Sequence, residues 1–448
     1  MDEDTLVPIS QCGIEIPEYL DKAILKGLAV QPEDRFQSAA EFLDAIESQQ
    51  IVEVPASGGA TTPAPEKKKV KPALIAGIAA LVVAVAVGVG IAIGGRGGQA
   101  AVDADGEEIQ LVEAEVPSIT IRGVEYSTDL TELDLSGMGL NDADIEPLHY
   151  MVNLTGLNLA GNDLTDLSPL APLTNLKSLR LGGFSETDTY GDNIHLSDLS
   201  PLSDLTNLER LYLSRQSAIS DLSPLQNLTN LKKLEMAGQR YNYRGDGPIT
   251  DLGPLAGLTK LESLDLDLGA VESLEPLSGL VNLQEIYFYA GSIGPDLRAF
   301  SQMADLRSLD LYTDGLESLE GLEPLSKLEF LRISGVNPFT DLSPLANLTS
   351  LTQLELTGAF SDITPLGNLT ELRSLFLSPT EEGAYLTDLS PLANLKDVEN
   401  LVLYVREVTD ISPLAEMDSL HTLTIGEWNG PKIQDWSPVD HVPDVMKS

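Results

Sequence analysis

The chain of 448 residues carries 69 acidic against 27 basic side chains, a formal net charge of −42. Such a surface repels polyanions and argues against nucleic acid as a partner. One cysteine, Cys12, excludes an intrachain disulfide framework, and His149, His195, His421 and His441 lack metal-ligand spacing, so no metal and no cofactor is expected.

Taken in chain order, residues 16–46 come first, with two helical stripes: Leu20, Ile24, Leu25 and Leu28, then Phe42, Leu43 and Ile46. Pro32 separates them, and Ser38 with Glu41 three residues on makes a capping box for the second helix. Through Leu28, Pro32, Arg35, Phe36, Ser38, Ala39 and Phe42 this run resembles the last two helices of bacterial eukaryotic-like Ser/Thr kinase domains. The resemblance implies a structural role for Arg35, whose glutamate partner in that family is absent here. It covers residues 1–50 only, a small two-helix C-lobe remnant. The Gly-rich loop, strand-borne lysine, H-R-D and D-F-G motifs are also absent, so no phosphoryl transfer and no catalytic residue is expected.

Residues 51–72 are a Pro- and Ala-rich linker ending in Lys67, Lys68, Lys69 and Lys71. Residues 73–94 follow without a charge; at about 1.5 Å per residue a helix of that length covers the roughly 30 Å bilayer core. Four lysines before the span and only Arg96 just after it place the N-terminus in the cytoplasm and the remainder outside the cell. Ala80, Ala84 and Gly88 recur every fourth residue. That spacing leaves two readings open: a homodimer packed through the helix, or chance in an Ala- and Gly-rich segment. Residues 95–118 form an outer linker.

From Leu130 the chain repeats. Strands of the form apolar-x-x-apolar-x-apolar begin at Leu130, Leu154, Leu176, Leu208, Leu231, Leu261, Leu283, Leu306, Leu328, Leu351, Leu372, Val398 and Leu420, most often 22 or 23 residues apart. Most are followed by Asp-Leu-Ser-Pro-Leu or a variant, as at Asp166, Asp198, Asp221, Asp341 and Asp388. The period lies within the roughly 20–29 residues of leucine-rich repeats. Residues 119–440 therefore predict an α/β-type leucine-rich-repeat solenoid, with a parallel sheet on the concave face and short 3₁₀ turns on the convex face. The fourth and sixth strand positions are expected to point into the core, and the serine before each proline to cap its turn. Residues 119–129 are expected to cap the array as a strand, with Trp428 and Trp436 at its other end. In register and motif the array resembles the bacterial internalins. That resemblance implies extracellular recognition of a protein or peptide ligand, or adhesion. The chain end shows no wall-sorting signal, so anchoring falls to the span.

Outward positions on successive strands gather aromatic and charged residues. Tyr212, Tyr287, Tyr289, Asp310, Tyr312, Phe330, Arg332 and Phe376 are the expected ligand-binding residues on the concave face. Long repeats place extra segments near 182–195, 237–248 and 379–385, the first with Asp188 and Asp192, the second with Arg244-Gly245-Asp246. A solvated loop and a tight turn account for these without a calcium site or an integrin-type motif. The arrangement predicts a membrane-anchored recognition protein. The alternative is the sensor half of a transmembrane receptor Ser/Thr kinase whose catalytic parts lie outside this chain.

Overall fold

A computed structural model describes residues 117–182, 195–213, 218–236, 247–380, 385–405, 407–427 and 433–447, with Glu18, Lys22, Ala23 and Lys26. Among the described residues no helix is long and apolar enough to cross a membrane; the segment 73–94 lies outside them. So does nearly all of the kinase-like run, of which helical Lys22 and Ala23 and an ion pair from Lys22 to Glu18 at 3.2 Å are described.

The repeats stack into one fourteen-stranded parallel sheet whose strand order follows the sequence. Its first five strands are β3 (Glu132–Asp134), β4 (Gly156–Asn158), β5 (Ser178–Arg180), β6 (Arg210–Tyr212) and β7 (Lys233–Glu235). The longer strands follow: β8 (Ser263–Asp267), β9 (Glu285–Tyr289), β10 (Ser308–Tyr312), β11 (Phe330–Ser334) and β12 (Gln353–Gly358). The last four are β13 (Ser374–Pro379), β14 (Asn400–Val405), β15 (Thr422–Glu427) and β16 (Asp444–Lys447). Before them β1 (Ser118–Ile121) and β2 (Val124–Ser127) pair antiparallel. The expected cap strand is thus a hairpin. Its turn residues Arg122 and Gly123 both adopt positive φ, the geometry of a two-residue hairpin loop. Ile119 and Ile121 cover the open end of the core.

The expected phase holds. Fourth and sixth positions such as Leu157 and Leu159, or Leu354 and Leu356, are buried, and first-position leucines close the layer. At the eighth position Gly137 and Gly161 follow β3 and β4 with φ of 66° and 69°, and Gly335 follows the five-residue β11 with φ of 114°, so the chain turns left-handed there whatever the strand length. After β8, β9 and β10 the same position holds buried Leu268, Ala290 and Thr313, so the inward alternation continues one step further. Gly358 serves packing instead: a Cβ there would lie 2.6 Å from the ring of Phe339, which stacks on Phe360.

On the other side of the core, 3₁₀ turns such as Ser168–Leu170 and Ser343–Leu345 insert their leucines. Here the expectation about capping is corrected. The serine is the first residue of the turn, and the aspartate two residues earlier does the capping. Asp166, Asp221, Asp341 and Asp388 each accept the serine N–H at 2.8 Å. An acceptor two residues upstream is placed for this Asx geometry, whereas a serine oxygen on the turn itself is not. One strand lies beyond the thirteen read from sequence. β16 pairs with β15, and its sixth repeat position is Lys447, whose ammonium sits 4.0 Å from the Trp436 ring centroid. Trp436 packs on the core's end; Trp428 lies outside the described residues.

The capping aspartates make stability depend on pH. Backbone N–H and hydroxyl hydrogen bonds from Ser223 and Ser412 lower the pKa of Asp221 and Asp410. The hydroxyl and N–H of Ser200 and Ser437 do the same for Asp198 and Asp435. A carboxylate with depressed folded-state pKa stabilises fully above its unfolded value, about 3.9, and loses that contribution as pH falls through the folded value. The melting temperature should therefore drop below about pH 3.9, and Asp221→Asn combined with Asp410→Asn should shrink that drop. Thermal unfolding followed by circular dichroism across pH 2 to 7 checks both.

Candidate binding surface

The sheet's open face is built from outward positions three and five of every strand, in register from end to end. At the fifth position Asp134, Asn158, Arg180, Tyr212, Glu235, Asp265, Tyr287, Asp310 and Arg332 succeed one another as direct cross-strand partners. Glu355, Phe376, Val402 and Thr424 continue the row. The longer strands from β8 onward add a third outward row at position seven, where Asp267, Tyr289, Tyr312 and Ser334 align. The third row runs past the aromatic strands and continues on the six-residue strands β12 to β15.

Tyr287 is half-buried between Asp265 and Asp310 and receives a hydrogen bond of 3.3 Å from the Ser308 hydroxyl. Tyr312 and Phe330 are half-buried on the two strands that follow. Phe376 lies two strands beyond Phe330, its ring 5.7 Å from that of Tyr404, a neighbour sequence reasoning passed over. Tyr212 stands apart on β6. Two of the expected contact residues are placed differently. Tyr289 is only 6% exposed; Asp267 and Tyr312 are its register partners and Arg332 lies within electrostatic reach. Asp310 is only 4% exposed and serves as a base for Arg332.

Arg332 ties three strands together. Its Nη1 donates to Asp310 at 3.1 Å and its Nε to Glu355 at 2.8 Å, and its guanidinium lies 5.6 Å from the Phe330 ring centroid. Partial burial acts to lower the guanidinium's pKa, but the Glu355 hydrogen bond and the charges of Asp310 and Glu355 outweigh it and raise it. With both flanking carboxylates engaged, Arg332 is held beside one of the aromatics, Phe330.

The edge where the strands begin has a groove of about 510 Å3 lined by Asp129, Asn153, Asn175, Lys177 and Asn207 among others. Asn153, Asn175 and Asn207 donate there to carbonyls of the preceding repeat, at 3.0, 2.9 and 2.9 Å. Those amides join one repeat to the next. Among the described residues no group of three or more His, Cys, Asp or Glu side chains is placed to hold a metal ion. Asp188, Asp192 and Arg244-Gly245-Asp246 lie outside them. Sequence reasoning also passed over the third-position cations Arg210 and Lys233, which the strand phase alone would have placed on the open face.

No family model and no curated protein matches this chain. Solved structures do. The internalin InlF of Listeria monocytogenes is 27% identical over 72% of this chain and 89% of its own, with a TM-score of 0.58. A leucine-rich-repeat protein of Leptospira interrogans is 18% identical over 72% of this chain and 96% of its own, with a TM-score of 0.48. The plant peptide hormone receptor RGFR1, solved in complex with RGF2, is 17% identical over 67% and 53%, with a TM-score of 0.47. The repeats, their register and the likeness to InlF define the class: an internalin-like leucine-rich-repeat protein.

Removing the guanidinium should cost stability, because the buried Asp310 carboxylate would lose the hydrogen bond and charge of Arg332. Arg332→Ala is expected to lower the unfolding free energy by about 1–3 kcal/mol. Adding Asp310→Asn should recover much of that loss. Chemical denaturation of both variants measures the two values, and equal losses would remove the buried carboxylate as the cause.

Proposed function

We propose that this chain is a non-enzymatic, single-pass membrane protein that recognises an extracellular protein or peptide ligand on the open face of its repeats. The observation that carries this reading is the three-row region of β9 to β11. There Tyr287, Tyr312 and Phe330 stand half-exposed on a rigid sheet, and Arg332 is already immobilised by two carboxylates. Aromatics held in place lose little conformational freedom when a partner covers them, which makes such clusters energetic centres of interfaces. Phe376 and Tyr212 extend the surface to either side. Tyr289 and Asp310 support it from beneath.

The anchor rests on the uncharged run 73–94 and on the lysines before it. In this reading residues 1–50 are the cytoplasmic kinase-like remnant, 51–72 the basic linker, 95–118 the outer linker and 119–440 the ectodomain. A homodimer through the small residues of the span is compatible with it. The second reading, the sensor half of a receptor Ser/Thr kinase, is favoured by the match from Leu28 to Phe42, and an in-frame kinase domain encoded upstream of Met1 is its expected signature.

Selection of a random-peptide library on the purified full-length chain tests recognition. A selected peptide should bind Tyr287→Ala combined with Tyr312→Ala at least tenfold more weakly than wild type, a loss of about 1.4 kcal/mol or more. Undiminished binding would sink the proposed surface.

Topology has a separate readout in the single native thiol. On intact cells a membrane-impermeant maleimide should leave Cys12 unlabelled, yet label exposed Ala415→Cys in a Cys12→Ser background. Labelling of Cys12 without permeabilisation would invert the orientation.

A further inference from the structure

The open face is not uniformly acidic. On β5, β6 and β7 the outward third and fifth positions are Ser178, Arg180, Arg210, Tyr212, Lys233 and Glu235, three cations against one anion. The same positions on β3 and β4 carry Glu132 and Asp134 and no cation. On β8 to β10 the outward positions carry Asp265, Asp267, Glu285 and Asp310, again without a cation. A positive island of three adjacent strands therefore sits between two negative stretches, in a chain whose net charge is −42.

Tyr212 organises the island. The Arg180 guanidinium carbon lies 4.2 Å from the ring centroid and the Lys233 ammonium 5.6 Å from it. In the ladder Arg180 pairs with Tyr212, and Arg210 pairs with Lys233. Lys233 also meets Glu235 at 3.4 Å, and Asp134 feels the charge of Arg180, so the local carboxylates offset part of the charge. A guanidinium resting on a ring face is oriented yet keeps its N–H fork for a carboxylate.

We propose that β5 to β7 form a subsite for a short acidic segment of a peptide ligand. This rests on the reading that the open face binds such a ligand and adds the chemistry of one part of it. The cations are spread over about 10 Å, two strand spacings, which matches about three residues of an extended chain. A small inorganic anion would need cations that converge on one point. A long polyanion such as nucleic acid would run onto Glu132 and Asp134 on one side and Asp265 and Asp267 on the other. Three or so acidic residues with neutral or basic neighbours fit both the island and its borders.

The test measures fluorescence anisotropy of the full-length chain with labelled peptides carrying three consecutive glutamates, or three lysines, between glycine–serine flanks. The glutamate peptide should bind with an affinity that falls as salt is raised, and Arg180→Ala with Arg210→Ala should weaken it at least tenfold. Lys327→Ala, which removes a cation paired with Asp305 at an edge, should leave it unchanged and so exclude an effect of net charge. No binding of the glutamate peptide, equal binding by the double variant, or preference for the lysine peptide would overturn the proposal. Displacement by equimolar inorganic phosphate would make this a small-anion site and overturn it too. So would self-association of the wild-type chain, seen by analytical ultracentrifugation and lost in the double variant, since the occupant would then be a second copy. Binding of the library-selected peptide to the aromatic rows is read independently, so failure here leaves that reading standing.

Discussion

A repeat of this kind cannot bury its own leucines. Each strand presents its fourth and sixth side chains, and each turn its leucines, to a core that exists only when the next repeat covers it. This nearest-neighbour burial aligns the fifth-position residues from Asp134 to Thr424 without a slip. A slip of one residue in any strand would turn its leucines to solvent and its polar residues into the core. Register is therefore held by burial, and the composition of the open face follows from register. The Asn amides at the edge and the aspartate caps behind the core satisfy the backbone groups that the leucines leave over.

Within that frame small local differences decide where a partner could sit. β3 and β4 end at the fifth repeat position, while β8, β9 and β10 run to the seventh and place a buried side chain at the eighth. The extra length turns a two-row face into a three-row face where Tyr287, Tyr289 and Tyr312 lie. Arg332 then spends its donors on Asp310 and Glu355, so its charge is neutralised on the sheet and its contribution is order. On three of the strands between β4 and the tyrosines, the cations around Tyr212 make the opposite electrostatic surface. One sheet thus offers two chemistries side by side.

Much of this was legible from spacing alone. Thirteen strands, their inward positions, the turn side of the core and the outward phase of the aromatics all follow from a period near 22 residues and alternation along a strand. The fourteenth strand escaped because Lys447 takes the place of its last inward residue and is accommodated by Trp436, a contact no pattern encodes. Ser-Pro reads as a cap followed by a first helical position, whereas the Asp-x-Ser spacing makes an Asx turn in which aspartate is the acceptor. The phase of Tyr289 points outward, yet between its register partners Asp267 and Tyr312 it is nearly buried.

The sequence by itself determined the architecture, because a solenoid repeats one local rule and each repeat needs only its neighbour. It also determined which residues face outward, since alternation fixes sides without knowledge of partners. Only the tertiary structure decided how much of each outward residue remains open, and which charges are already spent. Those quantities depend on side chains about 22 residues away along the chain but one strand spacing away in space. Tyr289 beneath its neighbours, Arg332 between two carboxylates and Arg180 on the face of Tyr212 are all such cross-strand outcomes.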